Sequence, residues 1–411
     1  MPSTRATVHA GSSNPTSTHD CFAIVAPGLE PLVARELAVL GAAGPRTIAG
    51  GVEFRADDAL LATVHLQLRA ASRVLVRMAA FRATAFHELE RAARQVEWTR
   101  VLQPAGAFRL RVTCRKSRLY HSDAVAERVA AAIVRALPGT THAMTPDADD
   151  VEHHAPDDRD RDQGAGPESP QAALPQLFVV RFDRDRCTVS ADASGELLHR
   201  RGYRQAVGRA PLRETLAAAM LLGAEWDPAE PLLDPMCGSG TIAIEAAMLA
   251  RRIAPGLRRA FAAERWPSVA GAAWRAARTA AEAAVLPSAP APIHASDRDA
   301  GAIESARANA ARAGVADDIA FACAPLSSVQ PPTGRGLLIT NPPYGVRVGE
   351  SGPLRDLYAR LGQFARERCP GWRVAMLSAD PALEAQTALR LRPALVTTNG
   401  GLAVRLMVVK A

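Results

Sequence analysis

Leu232-Leu233-Asp234-Pro235-Met236-Cys237-Gly238-Ser239-Gly240-Thr241 is the stretch whose reading decides this chain's fold. Two leucines and an acid end a short strand, and the run from Ile242 to Arg252 then reads as a helix. Gly238 and Gly240 let the backbone turn tightly and approach a ligand. The helix start adds free N–H donors and a positive dipole end. A phosphate ligand is disfavoured. No Lys follows the glycines as a phosphate loop requires, the third glycine of G-x-G-x-x-G is absent, and Asp234 would repel an anion. An acid at a strand end suits a cationic ligand instead, such as a sulfonium amino acid.

Outward from this loop, apolar strands alternate with Ala-rich helices. The candidate strands are Pro231 to Asp234, Ile293 to Ser296, Gly336 to Thr340, Val374 to Leu377 and Val404 to Val408. Such βαβ alternation predicts a doubly wound α/β domain with a mostly parallel sheet. Asp297 then falls at the carboxyl edge of the second strand, where its carboxylate can accept both hydroxyls of a ribose. Asp299 is the natural cap for a helix over 300–313.

The third strand runs into Asn341-Pro342-Pro343-Tyr344. Two prolines stiffen the loop and remove its own donors, so its carbonyls can face a ligand. An amino group on an aromatic base is a poor nucleophile, because its lone pair is delocalised into the ring. Two acceptors, the Asn341 side-chain oxygen and the Pro342 carbonyl, can draw that nitrogen toward sp³. Tyr344 can stack on the base, a contact worth roughly 1–3 kcal/mol. Catalysis of this kind is mainly alignment and needs no strong base.

The front of the chain has a different pattern. Residues 1–20 are rich in Ser, Thr, Pro and Asn and lack the apolar run of a signal peptide. They read as a disordered tail. Residues 21–104 read as an α+β unit with a strand at Phe22 and a helix over 29–40. Residues 105–196 begin with the alternating strand Phe108 to Thr113 and a helix to about Leu137, capped by Ser122 or Asp123. Leu177 to Phe182 and Cys187 to Ala193 form a predicted hairpin. Between them, 146–175 is acidic, rich in Pro and Gly, and expected to be mobile.

The 411 residues suffice for two or three domains. No apolar run reaches the length of a membrane span, so no membrane partner is expected. The six cysteines at 21, 114, 187, 237, 323 and 369 form no C-x-x-C pair, which predicts cytosolic thiols and no metal site. Net charge is +7, yet residues 147–162 alone carry −6, leaving +13 elsewhere. A basic body suits a polyanion such as RNA. Two clusters are candidate RNA contacts. Arg109, Arg111, Arg115, Lys116 and Arg118 lie on one strand and its following loop, and His199, Arg200, Arg201, Tyr203, Arg204 and Arg209 lie at the start of the rear domain, with Tyr203 as a stacker.

The pairing of Asp234-Pro-Met-Cys-Gly-Ser-Gly-Thr with Asn341-Pro-Pro-Tyr resembles the amino-methyltransferases of the Rossmann-like class I fold. More narrowly, the chain resembles the THUMP-domain RNA guanine-N2 methyltransferases of bacteria, whose nearest group acts on 23S ribosomal RNA. The similarity extends over Pro27-Gly-Leu-Glu30, Ala71-Ser-Arg-Val74, Trp98, the segment 108–137 and Ser194 to Arg204. It implies a ferredoxin-like unit over 21–104, a THUMP domain over 105–196, and a seven-stranded methyltransferase domain over 197–411. It implies S-adenosylmethionine as cofactor, held by Asp234, Met236, Cys237, Gly238, Ser239, Gly240, Thr241 and Asp297. The base would be held by Asn341, Pro342, Pro343 and Tyr344. It also implies a cytoplasmic enzyme with an RNA partner, ribosomal RNA ahead of transfer RNA. Phe321 to Pro325 departs from the family pattern in supplying no acid near the adenine, which leaves backbone atoms for that contact. Three other readings share these residues: transfer RNA guanine-N2 methylation, DNA adenine-N6 methylation, and a non-enzymatic ribosome-assembly factor.

Overall fold

The structure, a computed structural model, describes residues 18–143, 174–205, 212–344 and 351–409. The predicted N-terminal tail up to residue 17, the acidic insert up to residue 173 and Arg209 lie outside the described residues, while His19 and Asp20, expected in the tail, begin a strand.

The front half consists of β1 (His19–Ile24), α1 (Glu30–Val39), β2 (Arg46–Ile48), β3 (Gly51–Ala56), α2 (Asp58–Gln67), β4 (Arg73–Arg82) and α3 (Phe86–Ala93), then β5 (Ala107–Arg115), α4 (Ser122–Ala136), β6 (Thr141–His142), β7 (Gln176–Asp183) and β8 (Arg186–Asp192). Its strands form one eight-stranded sheet in the order β2-β3-β1-β4-β8-β7-β5-β6. The expected division near residue 104 therefore falls within a continuous sheet, joined where β4 pairs antiparallel with β8. Strand β5 shows why it pairs as it does. Phe108, Leu110, Val112 and Cys114 pack toward the core, and the intervening Arg109, Arg111 and Arg115 take the other face. Helix α4 begins at Ser122 itself, so the capping position belongs to His121, which makes no side-chain cap bond. Neither Ser122 nor Asp123 caps it. Asp123 lies in the first turn, where it favours the helix dipole.

The rear half consists of α5 (Glu214–Gly223), β9 (Leu232–Asp234), α6 (Thr241–Ala250), α7 (Gly271–Ala283), β10 (Ile293–Asp297), α8 (Ala300–Ala313), β11 (Ile319–Cys323), β12 (Leu337–Thr340), α9 (Ser351–Arg368), β13 (Arg373–Ser378), α10 (Pro381–Gln386), β14 (Arg392–Asn399) and β15 (Leu402–Val409). Its seven strands run in the order β11-β10-β9-β12-β13-β15-β14. The sheet is mixed. The first five are parallel to their neighbours, while β15 lies antiparallel between β13 and β14. Strand β14 is absent from the expectation because Pro393 interrupts its pattern. The structure accommodates that proline at a register shift on an edge strand.

The halves are packed together. His65 on α2 sits against Phe261 and Trp274, with ring centroids 5.1 and 5.6 Å away. Gly256 N–H donates to the Leu66 carbonyl at 2.9 Å, and Arg69 donates to the Ile253 carbonyl at 2.8 Å. Among the described residues no helix is long and apolar enough to cross a membrane.

Candidate active site

Strand order places the site. From β9 the chain proceeds to β10 on one side, and β12 returns on the other. The crevice outside the carboxyl ends of β9 and β12 is thus a topological switch point, where open α/β sheets bind ligands. Asp297 ends β10, Asp234 ends β9, and Asn341 directly follows β12. These are three neighbouring strands, so the residues picked from sequence converge on one sheet edge.

The loop after β9 is tightly tied. Cys237 N–H donates to the Ser296 carbonyl at 2.9 Å, extending the β9–β10 pairing, and Gly240 N–H donates to the Cys237 carbonyl at 2.8 Å. Gly238 has φ +52° and Gly240 φ +82°, conformations that L side chains adopt only with strain. A Cβ on Gly238 would meet nothing within 4 Å, so the loop presents bare backbone to open space there. A Cβ on Gly240 would come within 3.0 Å of Ala306 Cβ, so this glycine also lets α6 and α8 approach. Gly240 occupies the N-cap of α6, and Thr241 is its first residue. Cys237 and Thr241 are buried, whereas Met236 and Ser239 are partly exposed. Burial pushes the Cys237 thiol up, which keeps it protonated.

Asp297 is positioned by two backbone donors, Gly238 N–H on Oδ2 and Asp299 N–H on Oδ1, both at 3.0 Å. Each oxygen keeps a lone pair for a further donor. Asp299 does cap α8, accepting from Gly301 and Ala302 N–H at 2.8 and 3.2 Å. Asp234 is 1% exposed and accepts from Met236 N–H at 3.3 Å. Burial pushes its carboxyl up to about 7, partly offset by that N–H. Beyond Asp297, Cys323 is level with it on β11, and Ala324 N–H donates to the Asp297 carbonyl at 2.8 Å.

In the second loop Asn341 is partly buried and its Oδ1 is fully enclosed, without a hydrogen-bond partner among the described residues. A buried acceptor left empty costs about 1–3 kcal/mol. Such an orphan at a switch point marks a place for a ligand's donor. Pro342 is buried and Pro343 exposed. Tyr344 is half-buried and its hydroxyl accepts from Asn399 Nδ2 at 3.0 Å. Asn399, at the end of β14, was not flagged by sequence. Its only local signal is the turn-forming Asn-Gly-Gly that it opens.

The donor set fits the expected adenosyl amino acid. Asp297 has capacity for a diol, Gly238 leaves open backbone, and Asp234 is a buried acid able to face a cation. Because that cation favours the ionised acid, donor affinity should rise with pH through about 7, by up to about tenfold per unit below it. For the donor-free protein the sign is opposite: a carboxyl whose folded pKa is raised contributes stability that is lost as pH climbs through about 7. Titration calorimetry against pH, with Asp234→Asn as control, checks the first point; a flat wild-type profile would contradict it.

The candidate RNA residues separate into two groups. Arg115, Lys116 and Arg118 are exposed at the end of β5, and Arg109 and Arg111 are half-buried on its outer face. Arg200 is partly exposed, 3.8 Å from Glu196. His199, Arg201 and Tyr203 are buried and Arg204 is mostly so, which corrects the expectation that these four face RNA. Arg201 is 4% exposed and donates to the Leu198 and Arg69 carbonyls. Tyr203 is 3% exposed and its hydroxyl donates to Glu245 at 3.0 Å, so it cannot stack on a base. Arg204 pairs with Glu214 at 2.7 Å. His199 is buried, and burial together with four neighbouring arginines lowers its pKa to about 3, leaving it neutral.

Comparison with known proteins agrees with this architecture. Residues 20–75 match the family described as the RlmL ferredoxin-like domain, 83–157 the THUMP domain, and 201–401 the RMKL-like methyltransferase domain. The chain is 34% identical over 393 residues to "Putative RNA methyltransferase slr0064" of Synechocystis sp., covering 95% of this chain and 96% of that protein. A solved structure from Listeria monocytogenes, described as a predicted N6-adenine-specific DNA methylase, is 31% identical with TM-score 0.79, over 96% of this chain and 97% of that one. The structure of SMU.472, described as "a putative methyltransferase complexed with SAH", is 29% identical with TM-score 0.81, over 96% and 98%.

Proposed function

Since the chain belongs to the THUMP-containing RNA methyltransferases related to the RlmL-type enzymes, we propose that it methylates the exocyclic N2 of a guanosine in RNA, with 23S ribosomal RNA as substrate. It is an S-adenosylmethionine-dependent enzyme. The observation that carries the amino-nitrogen reading is the orphaned, enclosed Oδ1 of Asn341 just after β12, and the RlmL-like and THUMP front half supports RNA and guanine over DNA and adenine.

S-adenosylmethionine supplies an electrophilic methyl group on a sulfonium. The chain supplies placement. Asp297 would accept the ribose hydroxyls while staying tied to Gly238 and Asp299. Asp234 offers negative charge in a buried setting, where it acts at low effective dielectric. Asn341 Oδ1 accepts one amino N–H of the base and the Pro342 carbonyl the other, which frees the nitrogen lone pair toward the donor. Tyr344 lies against the base plane, its hydroxyl held by Asn399. The amino proton leaves to water after transfer, so no protein base is required. RNA docks through Arg115, Lys116 and Arg118, with Arg109 and Arg111 beside them on the outer face of β5.

The Asn-Pro-Pro-Tyr loop alone suits adenine as well as guanine, and the Listeria relative is described as an adenine DNA methylase. The THUMP and RlmL-like front half favours RNA. Incubation with labelled donor and separate pools of ribosomal RNA, transfer RNA and DNA should label ribosomal RNA. Label confined to DNA would overturn the reading, and label confined to transfer RNA would overturn its choice of substrate.

A further inference from the structure

The linker 197–204 carries a run of cationic and aromatic residues whose solvent-facing role the structure removes. Its buried partners lead to the donor loop by two routes.

The first passes through α8. Arg312 Nε donates to the Tyr203 main-chain carbonyl at 2.8 Å, and a terminal nitrogen of the same guanidinium donates to Asn309 Oδ1. A guanidinium is donor-only, so Asn309 must turn its oxygen toward Arg312 and its amide nitrogen the other way. That nitrogen donates to the Ser239 carbonyl at 3.2 Å. The opposite end of the same peptide, Gly240 N–H, is bound to the Cys237 carbonyl. The 239–240 peptide is therefore fixed at both ends, next to Gly238, whose N–H is on Asp297. Asn309 is 1% exposed, so no water substitutes for it.

The second route passes through α6. The Tyr203 hydroxyl donates to Glu245 Oε1 at 3.0 Å, and Arg201 Nε lies 3.6 Å from the same oxygen. Glu245 is one turn into the helix that Gly240 and Thr241 open. Arg201 also holds the Arg69 carbonyl at 2.6 Å, in the front half.

We propose that the linker braces the donor loop, with Asn309, Arg312 and Tyr203 as positioning residues that hold the Ser239 peptide and the first turn of α6 in donor-binding geometry. The inference rests on the loop's role as donor site and is independent of which base is methylated.

The test compares two variants of the full chain. Asn309→Asp keeps an acceptor for Arg312 but turns an oxygen toward the Ser239 carbonyl. Tyr203→Phe removes only the hydroxyl on Glu245. Each should weaken S-adenosylhomocysteine binding, measured by calorimetry, by about tenfold, near the value of one buried hydrogen bond to or near a charge. Donor KM should rise in parallel, while RNA affinity and RNA KM stay within twofold of wild type. A merely structural role would lower the melting temperature and the active fraction and leave both KM values unchanged. Donor affinity within twofold of wild type in the folded variants would overturn the proposal, as would a loss of RNA affinity equal to the loss of donor affinity. Should Asn309→Asp not fold, Tyr203→Phe decides by the same criterion. Calorimetry with the donor product needs no RNA, so its outcome stands even if the base is not guanosine.

Discussion

Asn341→Ala should lower turnover by about 10²–10³-fold and leave donor affinity within twofold of wild type. The magnitude follows from losing one preorganised polar contact made to the reacting group. The separation of effects follows from position: Asn341 follows β12, and its Oδ1 serves no other described residue. Removing an unsatisfied buried acceptor also relieves about 1–3 kcal/mol of cost. The variant should therefore melt no lower than wild type, and higher if the cavity closes, a trade of stability for activity. Asn341→Asp, which keeps an acceptor, should retain more activity than the alanine variant. Steady-state rates, calorimetry and thermal melts check this together. Loss of donor binding along with turnover would place Asn341 in the donor site instead.

The second large effect concerns two aspartates that lie only two residues apart. Asp297→Ala should weaken donor binding by about 100-fold or more, since it removes a charged acceptor of two ribose hydroxyls, each such bond being worth about 1.5–3 kcal/mol. It also frees Gly238 N–H, one of the ties that shape the loop. Asp299→Ala should cost about 1 kcal/mol of stability through the lost α8 cap and leave donor affinity unchanged. Calorimetry with S-adenosylhomocysteine and thermal melts on the two variants form a matched pair. The reverse pattern, with Asp299→Ala losing donor and Asp297→Ala retaining it, would contradict the assignment.

Why sequence served well in some places and poorly in others has a physical basis. The donor loop, the cap at Asp299 and the β7–β8 hairpin are written locally. Positive-φ glycines, a helix start and period-two alternation each fit within about ten residues. The site converges because parallel strands bring their carboxyl ends to one edge, and that edge follows from chain order alone. The linker was misread for the opposite reason. Arg201, Tyr203 and Arg204 read as a basic, RNA-facing patch because the acids they meet, Glu245 for the first two and Glu214 for Arg204, come from α6 and α5. Arg201's second anchor, the Arg69 carbonyl, is 132 residues away. No charge pattern within a window shows such partners. Asn309 did leave a trace. It falls in line with Ile303, Ala306, Ala310 and Ala313 on the buried stripe of α8, and an amide on an apolar stripe needs a partner. Strand β14 was hidden by Pro393, and with it Asn399 and its hold on Tyr344.

The central claim is that the Asn341–Pro342 acceptors act on the amino group of guanine. Digesting enzyme-methylated ribosomal RNA to nucleosides and identifying the product by mass spectrometry against standards tests it directly. The predicted result is N2-methylguanosine. N6-methyladenosine alone, or a guanosine methylated on a ring nitrogen, would contradict it.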